Sequence, residues 1–211
     1  MLLEFSVENF RSIRDKVTFS MIAGSEENHN DYCYELNDNK VLGVSVIYGN
    51  NSSGKTNLLD AIRYLSYLIN FNRFFQDSNS ITRFPHKLSD TKPTVIDIKF
   101  AYKSIIYSYG ISVKEDCFEK EYLYADGEKI FERHMDEISY GDMVKNDLTG
   151  IESKMKKNKL FLSTAEAWSK NNYIISANTF LTNSLVFARG ELNQWLPYAA
   201  ETIKNNDKIF E

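Results

Sequence analysis

Residues 41–56 read VLGVSVIYGNNSSGKT, an apolar run followed by a glycine-rich segment. The apolar run is short and rich in β-branched residues, which is typical of a strand covered on both faces. Residues 49–56 fit the pattern G-x-x-x-x-G-K-[ST] at every fixed position. Apolar residues then recur at helical spacing: Leu58, Ile62, Leu65 and Ile69, with Leu59, Ala61 and Leu68 broadening the stripe. The order of strand, glycine-rich turn and helix predicts a phosphate-binding loop.

The residue types in this loop suit the phosphates of a nucleotide. Gly49 and Gly54 leave out side chains where backbone N–H groups must wrap a phosphate chain closely. The helix that opens near Lys55 directs unpaired N–H groups and its positive dipole end at the anion. We expect Lys55, the candidate catalytic residue, to reach the β- and γ-phosphates, and the Thr56 hydroxyl to bind Mg²⁺. Four more loop residues are expected to face the phosphates: Asn50, Asn51, Ser52 and Ser53.

Composition indicates an ordinary globular protein. Of the 211 residues, 43% are hydrophobic and 26% are charged, so the chain can bury a core in one large or two small domains. The net charge of −4 argues against a stand-alone binder of duplex DNA. Cys33 and Cys117 lie far apart and imply neither a disulfide nor a zinc site, which fits a cytoplasmic location. No secretory pattern opens the chain, and no apolar run has the length of a membrane span.

Period-2 alternation predicts strands elsewhere in the chain. Residues 3–8 and 17–22 alternate in this way and are joined by a predicted turn at 9–16. The polar residues 24–40 are interpreted as a loop. Four further runs predict an antiparallel meander: residues 94–100, 104–113, 117–125 and 129–133.

The chain divides by pattern into four parts. Residues 1–70 hold the hairpin and the phosphate loop with its strand and helix, and residues 71–93 form a polar loop. Residues 94–135 are the antiparallel β-subdomain, and residues 136–211 a helical segment. Helices are expected there at 160–167, 173–188 and 190–211, after a charged, weakly periodic stretch at 136–158.

Two stretches carry a family resemblance. They read LLEFSVENFRSIRDKVTFSMIAG at residues 2–24 and VSVIYGNNSSGKTNLLDAI at residues 44–62. The chain resembles the SMC/RecF-like branch of ABC-type AAA ATPases, and more narrowly the prokaryotic ATP-binding proteins related to OLD-type and abortive-infection ATPases. Those proteins open with a strand, an N-F-[RK]-[SC] turn, a second strand and a loop of the form G-x-N-x-S-G-K-[ST]-N-L-L. Matching positions here are Asn9 to Ser12, Asn51, Ser53 and Asn57 to Leu59.

The resemblance implies a fold, a nucleotide and partners. The fold would be an α/β (α+β mixture) P-loop NTPase head, with an incomplete core of strand, loop and helix, an antiparallel β-subdomain and C-terminal helices. The nucleotide would be ATP with Mg²⁺, with Asn57 at the loop and with Arg11 and Ser12 of the turn as phosphate or base contacts. A hairpin arginine in water is the alternative for Arg11. The implied protein partner is a second head in a head-to-head dimer, or a second polypeptide that completes the core. Nucleic acid or an effector nuclease are further implied partners. No membrane partner is expected.

Two motifs that hydrolysis requires do not occur after Thr56. Mg²⁺ and the attacking water need a strand of four apolar residues followed by Asp-Glu, and the sequence has no such tetrad. It also lacks L-S-x-G, which ABC-type ATPases place on the partner's γ-phosphate. A glutamine that attends the metal often occurs in the family near FLSTAEAW, where this chain has Glu166, so that role stays unassigned.

We therefore interpret the chain as the N-terminal, ATP-binding portion of such an ATPase, of a phage-defence or DNA-maintenance type, and expect no hydrolysis by this chain alone. One alternative is a P-loop kinase for a small molecule, which would need an arginine-rich lid and an acidic base near the acceptor. Arg73 and Arg83 lie in the predicted polar loop, but the predicted meander has no place in that architecture. Another is a catalytically silent nucleotide-binding or interaction module, which the missing acidic pair makes credible.

Overall fold

The computed structural model describes residues 1–24, 33–37, 39–72, 74–76, 79–185 and 187. The strands are β1 (Leu2–Glu8), β2 (Val17–Ser20), β3 (Cys33–Leu36), β4 (Asn39–Leu42), β5 (Thr94–Tyr102), β6 (Ile105–Lys114), β7 (Cys117–Ala125), β8 (Glu128–His134) and β9 (Glu137–Tyr140). The helices are α1 (Lys55–Asn72), α2 (Lys145–Leu148), α3 (Phe161–Trp168) and α4 (Asn172–Thr179), with a 3₁₀ turn at Ile151–Lys154 and a π-helical turn at Phe180–Ser184. Among these helices none is long and apolar enough to cross a membrane.

A seven-stranded antiparallel sheet forms the main layer, in the order β2-β1-β5-β6-β7-β8-β9. The predicted meander is confirmed as β5 to β8, and β9 extends it within a stretch whose pattern had given no strand. The N-terminal hairpin belongs to the same sheet, because β1 pairs with β5 in a register that sets Phe5 opposite Ile98. The boundaries of the four predicted parts stay a prediction.

The helices cover one face of this sheet. Leu3, Phe5 and Val7 are buried along β1, as their alternation predicts, and α1 contacts that strand. Phe5 and Val7 lie in the main core, whereas Leu3 packs in a separate small cluster with Val41 and Ala101. Phe100 of β5 stacks on Phe180 of the π-helical turn, with ring centroids 4.2 Å apart. Aromatic and branched residues from strands and helices therefore share one core.

Helix α1 confirms the period-3.6 prediction in most of its positions. Leu58, Ile62, Leu65 and Ile69 are buried, as are Ala61 and Leu68. The prediction that Leu59 belongs to the buried stripe is wrong, since this residue is 49% exposed. The buried face also includes Asp60, Tyr64, Ser66 and Asn72, which the apolar pattern of the sequence did not mark.

The predicted strand at 41–48 is wrong over most of its length. Strand β4 ends at Leu42, and Val44, Val46 and Tyr48 are 79%, 78% and 91% exposed. A strand covered on both faces needs neighbouring strands to accept its backbone hydrogen bonds. No described residue supplies such a neighbour to residues 43–48.

The predicted loop at 24–40 is also wrong in part. Strands β3 and β4 form a hairpin there, with Cys33 opposite Leu42. The backbone N–H of Leu42 donates to the Met21 carbonyl at 2.7 Å, which fastens this hairpin to the end of β2. Its strands have four residues each, which is too short for an alternation of apolar and polar residues to stand out in the sequence.

The C-terminal predictions have mixed outcomes. Helix α3 confirms the helix expected at 160–167. The helix expected at 173–188 ends earlier, because α4 passes into the π-helical turn and Leu185 adopts an extended conformation. The predicted helix at 190–211 lies outside the described residues.

A buried ion pair ties α3 to the sheet. Glu121 of β7 and Arg133 of β8 are almost fully buried, with 3.9 Å between carboxylate and guanidinium. The Glu121 carboxylate accepts from the backbone N–H groups of Phe161 and Leu162 at 2.6 and 2.9 Å, so it satisfies the open N-terminus of α3. Burial raises the pKa of the Glu121 carboxyl, because the charged form has lost its water.

Replacing Arg133→Met should therefore destabilise the fold. The variant leaves Glu121 buried without its cation, and we expect the free energy of unfolding to fall by about 3 to 5 kcal/mol. Because the pKa of Glu121 is then higher in the folded than in the unfolded chain, the loss should grow as the pH rises from 5 to 8. Urea unfolding at both pH values measures this.

The matched control is Lys120→Met, a neighbouring exposed cation, which should stay within about 0.5 kcal/mol of the wild type. If the free energy of unfolding falls equally in the two variants, the buried ion pair contributes no more to stability than an exposed lysine does.

Candidate functional site

The segment before α1 forms a tight loop. Gly49 and Gly54 have φ angles of 154° and 94°, and Ser52 adopts 65° although it is not glycine. The Ser53 N–H donates to the Asn50 carbonyl at 3.2 Å and closes the turn. A positive φ at a serine is a strained conformation of the kind that is often retained at functional sites.

The loop delivers free donors to its concave side. The first bond of the helix runs from the Leu58 N–H to the Gly54 carbonyl at 3.1 Å. The amides of Lys55, Thr56 and Asn57 precede that bond and have no partner within the helix. They lie where the dipole of α1 is positive, so this end of the helix favours an anion.

The Lys55 ammonium closes over this loop. It donates to the carbonyl oxygens of Gly49 and Asn50 at 2.6 and 2.7 Å, and it lies 3.5 Å from the Ser53 hydroxyl. Those acceptors are neutral, and the site remains open to solvent. A cavity of about 370 Å³ lies here, lined by Ser12, Ser52, Ser53, Gly54, Lys55, Thr56 and Asn57.

Ser12 joins this cavity from the N-terminal hairpin. The Asn57 side-chain amide donates to the Ser12 hydroxyl at 2.6 Å. A Cβ atom at Gly54 would stand 3.4 Å from the same hydroxyl oxygen, an ordinary contact, so the φ of 94° and not the space is what favours glycine here. The structure thus brings together Ser12 and Asn57 with the loop residues that the sequence pattern singled out.

Arg11 lies apart from the loop cavity. Its guanidinium forms an ion pair with the buried Asp60 and lies over the rings of Phe10 and Phe84, 5.6 and 5.2 Å from their centroids. It lines a separate cavity of about 370 Å³, together with Phe10, Asp60, Arg63, Tyr64, Tyr67, Thr82 and Phe84. Arg11 is therefore not a free arginine in water, and its contact with a nucleotide stays a prediction.

Asn9 has a role that the sequence pattern did not reveal. Its side-chain amide donates to the carbonyls of Ser89 and Lys92, both at 2.8 Å, and its side-chain oxygen accepts from the His86 N–H at 2.9 Å. Its φ of 53° is one that asparagine tolerates well. Asn9 therefore holds the polar loop at 84–94 against the turn that carries Arg11 and Ser12.

Glu166 lies at the other end of α1. It lines a small polar cavity of about 140 Å³ together with Asn70. Asn70 is 14 residues beyond Thr56, which is roughly 20 Å along a helix at roughly 1.5 Å per residue. Glu166 is therefore too distant to attend a metal ion bound by Thr56.

The residues present suit a nucleotide triphosphate with a divalent cation. The loop combines unpaired amides, a lysine ammonium and the exposed hydroxyl of Thr56, which are the donor types that cradle phosphates and complete an Mg²⁺ shell. Among the described residues, no three His, Cys, Asp or Glu side chains gather as a metal-binding group. A cation at this loop would accordingly take most of its ligands from phosphate and water.

Comparison with known proteins supports this chemistry. A family model described as "AAA domain, putative AbiEii toxin, Type IV TA system" matches residues 44–210. The chain is also similar to the DNA replication and repair protein RecF of Leptospira biflexa serovar Patoc, in the strains Patoc 1 / Ames and Patoc 1 / ATCC 23582 / Paris. Each is 33% identical over 92 residues, which are 44% of this chain and 23% of the relative.

The aligned part thus spans about a quarter of the length of the RecF proteins that the chain matches. The resemblance to SMC/RecF-like AAA ATPases inferred from the sequence is confirmed by the family model and by the partial RecF match.

The backbone of the loop can be tested at Gly54. The Gly54→Ala variant forces a side chain onto a φ of 94°, and we expect the free energy of unfolding to fall by about 1 to 3 kcal/mol. Gly24→Ala is the matched control, because a Cβ there meets nothing within 4 Å. Urea unfolding compares the two, and an equal response would contradict the loop conformation.

Proposed function

Because this chain belongs to the AAA-domain family that the AbiEii-type model describes, we propose that it is the ATP-binding segment of an ABC/SMC-like ATPase. The observation that supports this best is the Lys55 ammonium, bound to loop carbonyls at the N-terminus of α1. The proposal assigns the phosphates of ATP to the loop at residues 49–57 and Mg²⁺ to the hydroxyl of Thr56.

The Lys55 ammonium would gain electrostatic energy by exchanging its loop carbonyls for a phosphate oxygen. The Lys55 ammonium donates to two neutral carbonyls, whereas a phosphate oxygen carries negative charge. The phosphate would add the attraction between opposite charges, which a carbonyl lacks. The same phosphate would also accept from the amides of Lys55 and Thr56, which the helix leaves unpaired.

The hydrogen bond between Ser12 and Asn57 is proposed to couple the conformation of the loop to that of the N-terminal hairpin. Their hydrogen bond of 2.6 Å joins the turn after β1 to the first turn of α1, next to Thr56. A nucleotide that repositions Asn57 would therefore also move the turn after β1, which carries Ser12. Arg11 is proposed as a phosphate or base contact, which would require its guanidinium to turn away from Asp60.

Hydrolysis is proposed to need another polypeptide part. The sequence supplies the cradle but no apolar tetrad followed by Asp-Glu, and that acidic pair positions both the cation and the attacking water. A second head or a completing polypeptide would bring it. The RecF relatives are named for DNA replication and repair, which supports a DNA-maintenance system. The AbiEii description of the family model supports a phage-defence system.

A second candidate function is a catalytically silent nucleotide-binding or interaction module. The missing acidic pair favours it. Asp60 is the carboxylate of α1 nearest to the loop in sequence, and its oxygens are engaged by Arg11 and by Arg63. It is therefore unsuited to orient a water molecule.

ATP binding should depend on Lys55. We expect the full chain to bind MgATP in isothermal titration, and Lys55→Ala to weaken binding about 10- to 100-fold, since a hydrogen bond to a charged group contributes about 1.5 to 3 kcal/mol. Lys87→Ala removes an exposed lysine elsewhere and should leave the affinity unchanged. Unchanged affinity in the Lys55 variant would refute the phosphate cradle.

Turnover by the chain alone tests an expectation that the two candidates share, namely that this chain does not hydrolyse ATP by itself. We expect the purified chain to release no more phosphate from ATP than its Lys55→Ala variant, because no free carboxylate of α1 stands beside the loop. Phosphate release that Lys55→Ala abolishes would exclude the silent module and would show that this chain supplies a catalytic carboxylate itself.

A further inference from the structure

The turn after β1 carries an arginine whose backbone is fixed while its side chain reaches solvent. The Arg11 N–H donates to the Phe84 carbonyl at 2.6 Å, and Arg11 adopts a φ of 51°, which is uncommon for a residue other than glycine. The Arg11 side chain is 39% exposed. Any change in the partner of its guanidinium must therefore come from rotation of the side chain.

A buried carboxylate of α1 holds this side chain. Asp60 is only 6% exposed, and the Arg11 guanidinium forms an ion pair with its Oδ2 atom. The guanidinium of Arg63, three residues further along α1, lies 3.5 Å from Oδ1, the other oxygen. Two cations thus share one carboxylate. A buried carboxylate left without a cation is strongly destabilised, whereas Asp60 would keep Arg63 if Arg11 left.

We propose that Asp60 and Arg63 are positioning residues that control the availability of Arg11 to the nucleotide. Arg11 is bound to Asp60 in the structure, and ATP binding transfers its guanidinium to a phosphate oxygen. Arg63 then remains as the counterion of Asp60. Neither Asp60 nor Arg63 contacts the nucleotide. This inference rests on the proposed function and assigns the residues that regulate one contact of the same site.

The side chain of Arg11 has a short path to the phosphate loop. Ser12, the next residue, lines the loop cavity and accepts a hydrogen bond from Asn57 at 2.6 Å. Consecutive Cα atoms lie about 3.8 Å apart, and an extended arginine side chain is longer than this separation. Its planar guanidinium carries five N–H donors in a fork that matches the oxygens of a phosphate. Rotation about the side-chain bonds is therefore sufficient for the exchange.

The other contacts of Arg11 are weaker than its ion pair. Its guanidinium lies 5.6 and 5.2 Å from the ring centroids of Phe10 and Phe84, and such contacts contribute modestly where solvent has access. The attraction of Asp60 is thus the main one that a phosphate must replace. Arg11, Asp60 and Arg63 together carry one net positive charge, so this cluster attracts an anion.

The alternative is a purely structural role for Asp60, which would anchor the turn after β1 to α1. The same turn is also held by Asn9, which donates to the carbonyls of Ser89 and Lys92, both at 2.8 Å. Oppositely charged residues three apart are common on helices, so the position of Arg63 alone does not separate the two roles. Its effect on nucleotide affinity does, because an anchor has no use for a second cation.

Isothermal titration of the full chain with MgATP tests the exchange. Asp60→Asn removes the charge that holds Arg11, and we expect it to tighten MgATP binding about 3- to 10-fold, whereas loss of an anchor would not raise the affinity. Arg63→Gln removes the cation that stays with Asp60, and we expect it to weaken binding about 3- to 10-fold. Arg63→Lys keeps that cation and should restore the wild-type affinity.

An Arg11→Gln background separates the exchange from long-range attraction. The charges of Asp60 and Arg63 also act on a phosphate through space, and in the same directions. That effect persists without Arg11, whereas an exchange does not. In this background we expect Asp60→Asn and Arg63→Gln to change the affinity less than about 2-fold. Lys129→Gln, which breaks an exposed pair with Glu132 three residues away, is the matched control and should leave the affinity unchanged.

Three results would overturn the inference. They are no gain of affinity in Asp60→Asn, no loss in Arg63→Gln, and shifts of the same size in the Arg11→Gln background. Arg63 is 42% exposed, so its variants decide the matter even if Asp60→Asn does not fold. A chain that binds MgATP through Lys55 and gives one of these results loses the exchange and keeps its nucleotide site. A wild-type chain that does not bind MgATP refutes both proposals.

Discussion

The pairing of β1 with β5 is the contact on which the arrangement of the site depends. It joins the N-terminal hairpin to the meander in one antiparallel sheet. The turn after β1 is thereby fixed beside the start of β5, where the Thr94 hydroxyl donates to the Asn9 carbonyl at 2.8 Å. Since α1 packs on the same sheet, this turn meets the first two turns of the helix, and Ser12 reaches Asn57. A turn 45 residues away in sequence thus becomes part of the wall of the phosphate loop.

Local pattern was enough to predict the sheet and α1, because their burial is decided within the chain. Alternation along β1 and β5 to β8 reflects one face on the core, and the period of Leu58, Ile62 and Leu65 reflects the helix that covers it. The run at 43–48 has a comparable apolar pattern, and yet Val44, Val46 and Tyr48 are exposed. A pattern records which residues are apolar and is silent on whether a neighbouring strand covers them. The strand prediction therefore failed over these residues.

The same distinction separates the parts of the site. The tight turn before α1 could be predicted because its glycines and the start of the helix are marked within eight successive positions, and its binding of phosphate stays a prediction. The contacts of the hairpin turn could not, since they depend on tertiary partners. Asn9 binds carbonyls about 80 residues away, and Arg11 is held by Asp60, a residue of α1 that no motif marks. Ser12 was nominated by family resemblance alone; it lies beside Asn57, and its contact with a nucleotide stays a prediction.

The loop before α1 lies between a well-packed part of the molecule and a segment with few contacts. On one side the sheet, α3 and the Glu121–Arg133 pair form a core whose polar groups satisfy one another. On the other side residues 43–48 have no backbone partner among the described residues, and Val44, Val46 and Tyr48 are exposed while Ile47 packs against the core. Local stability follows contact density, so the side of the loop that precedes Gly49 is less stable than the side that α1 anchors. A ligand that binds only the closed loop would therefore stabilise this less stable side through its binding free energy.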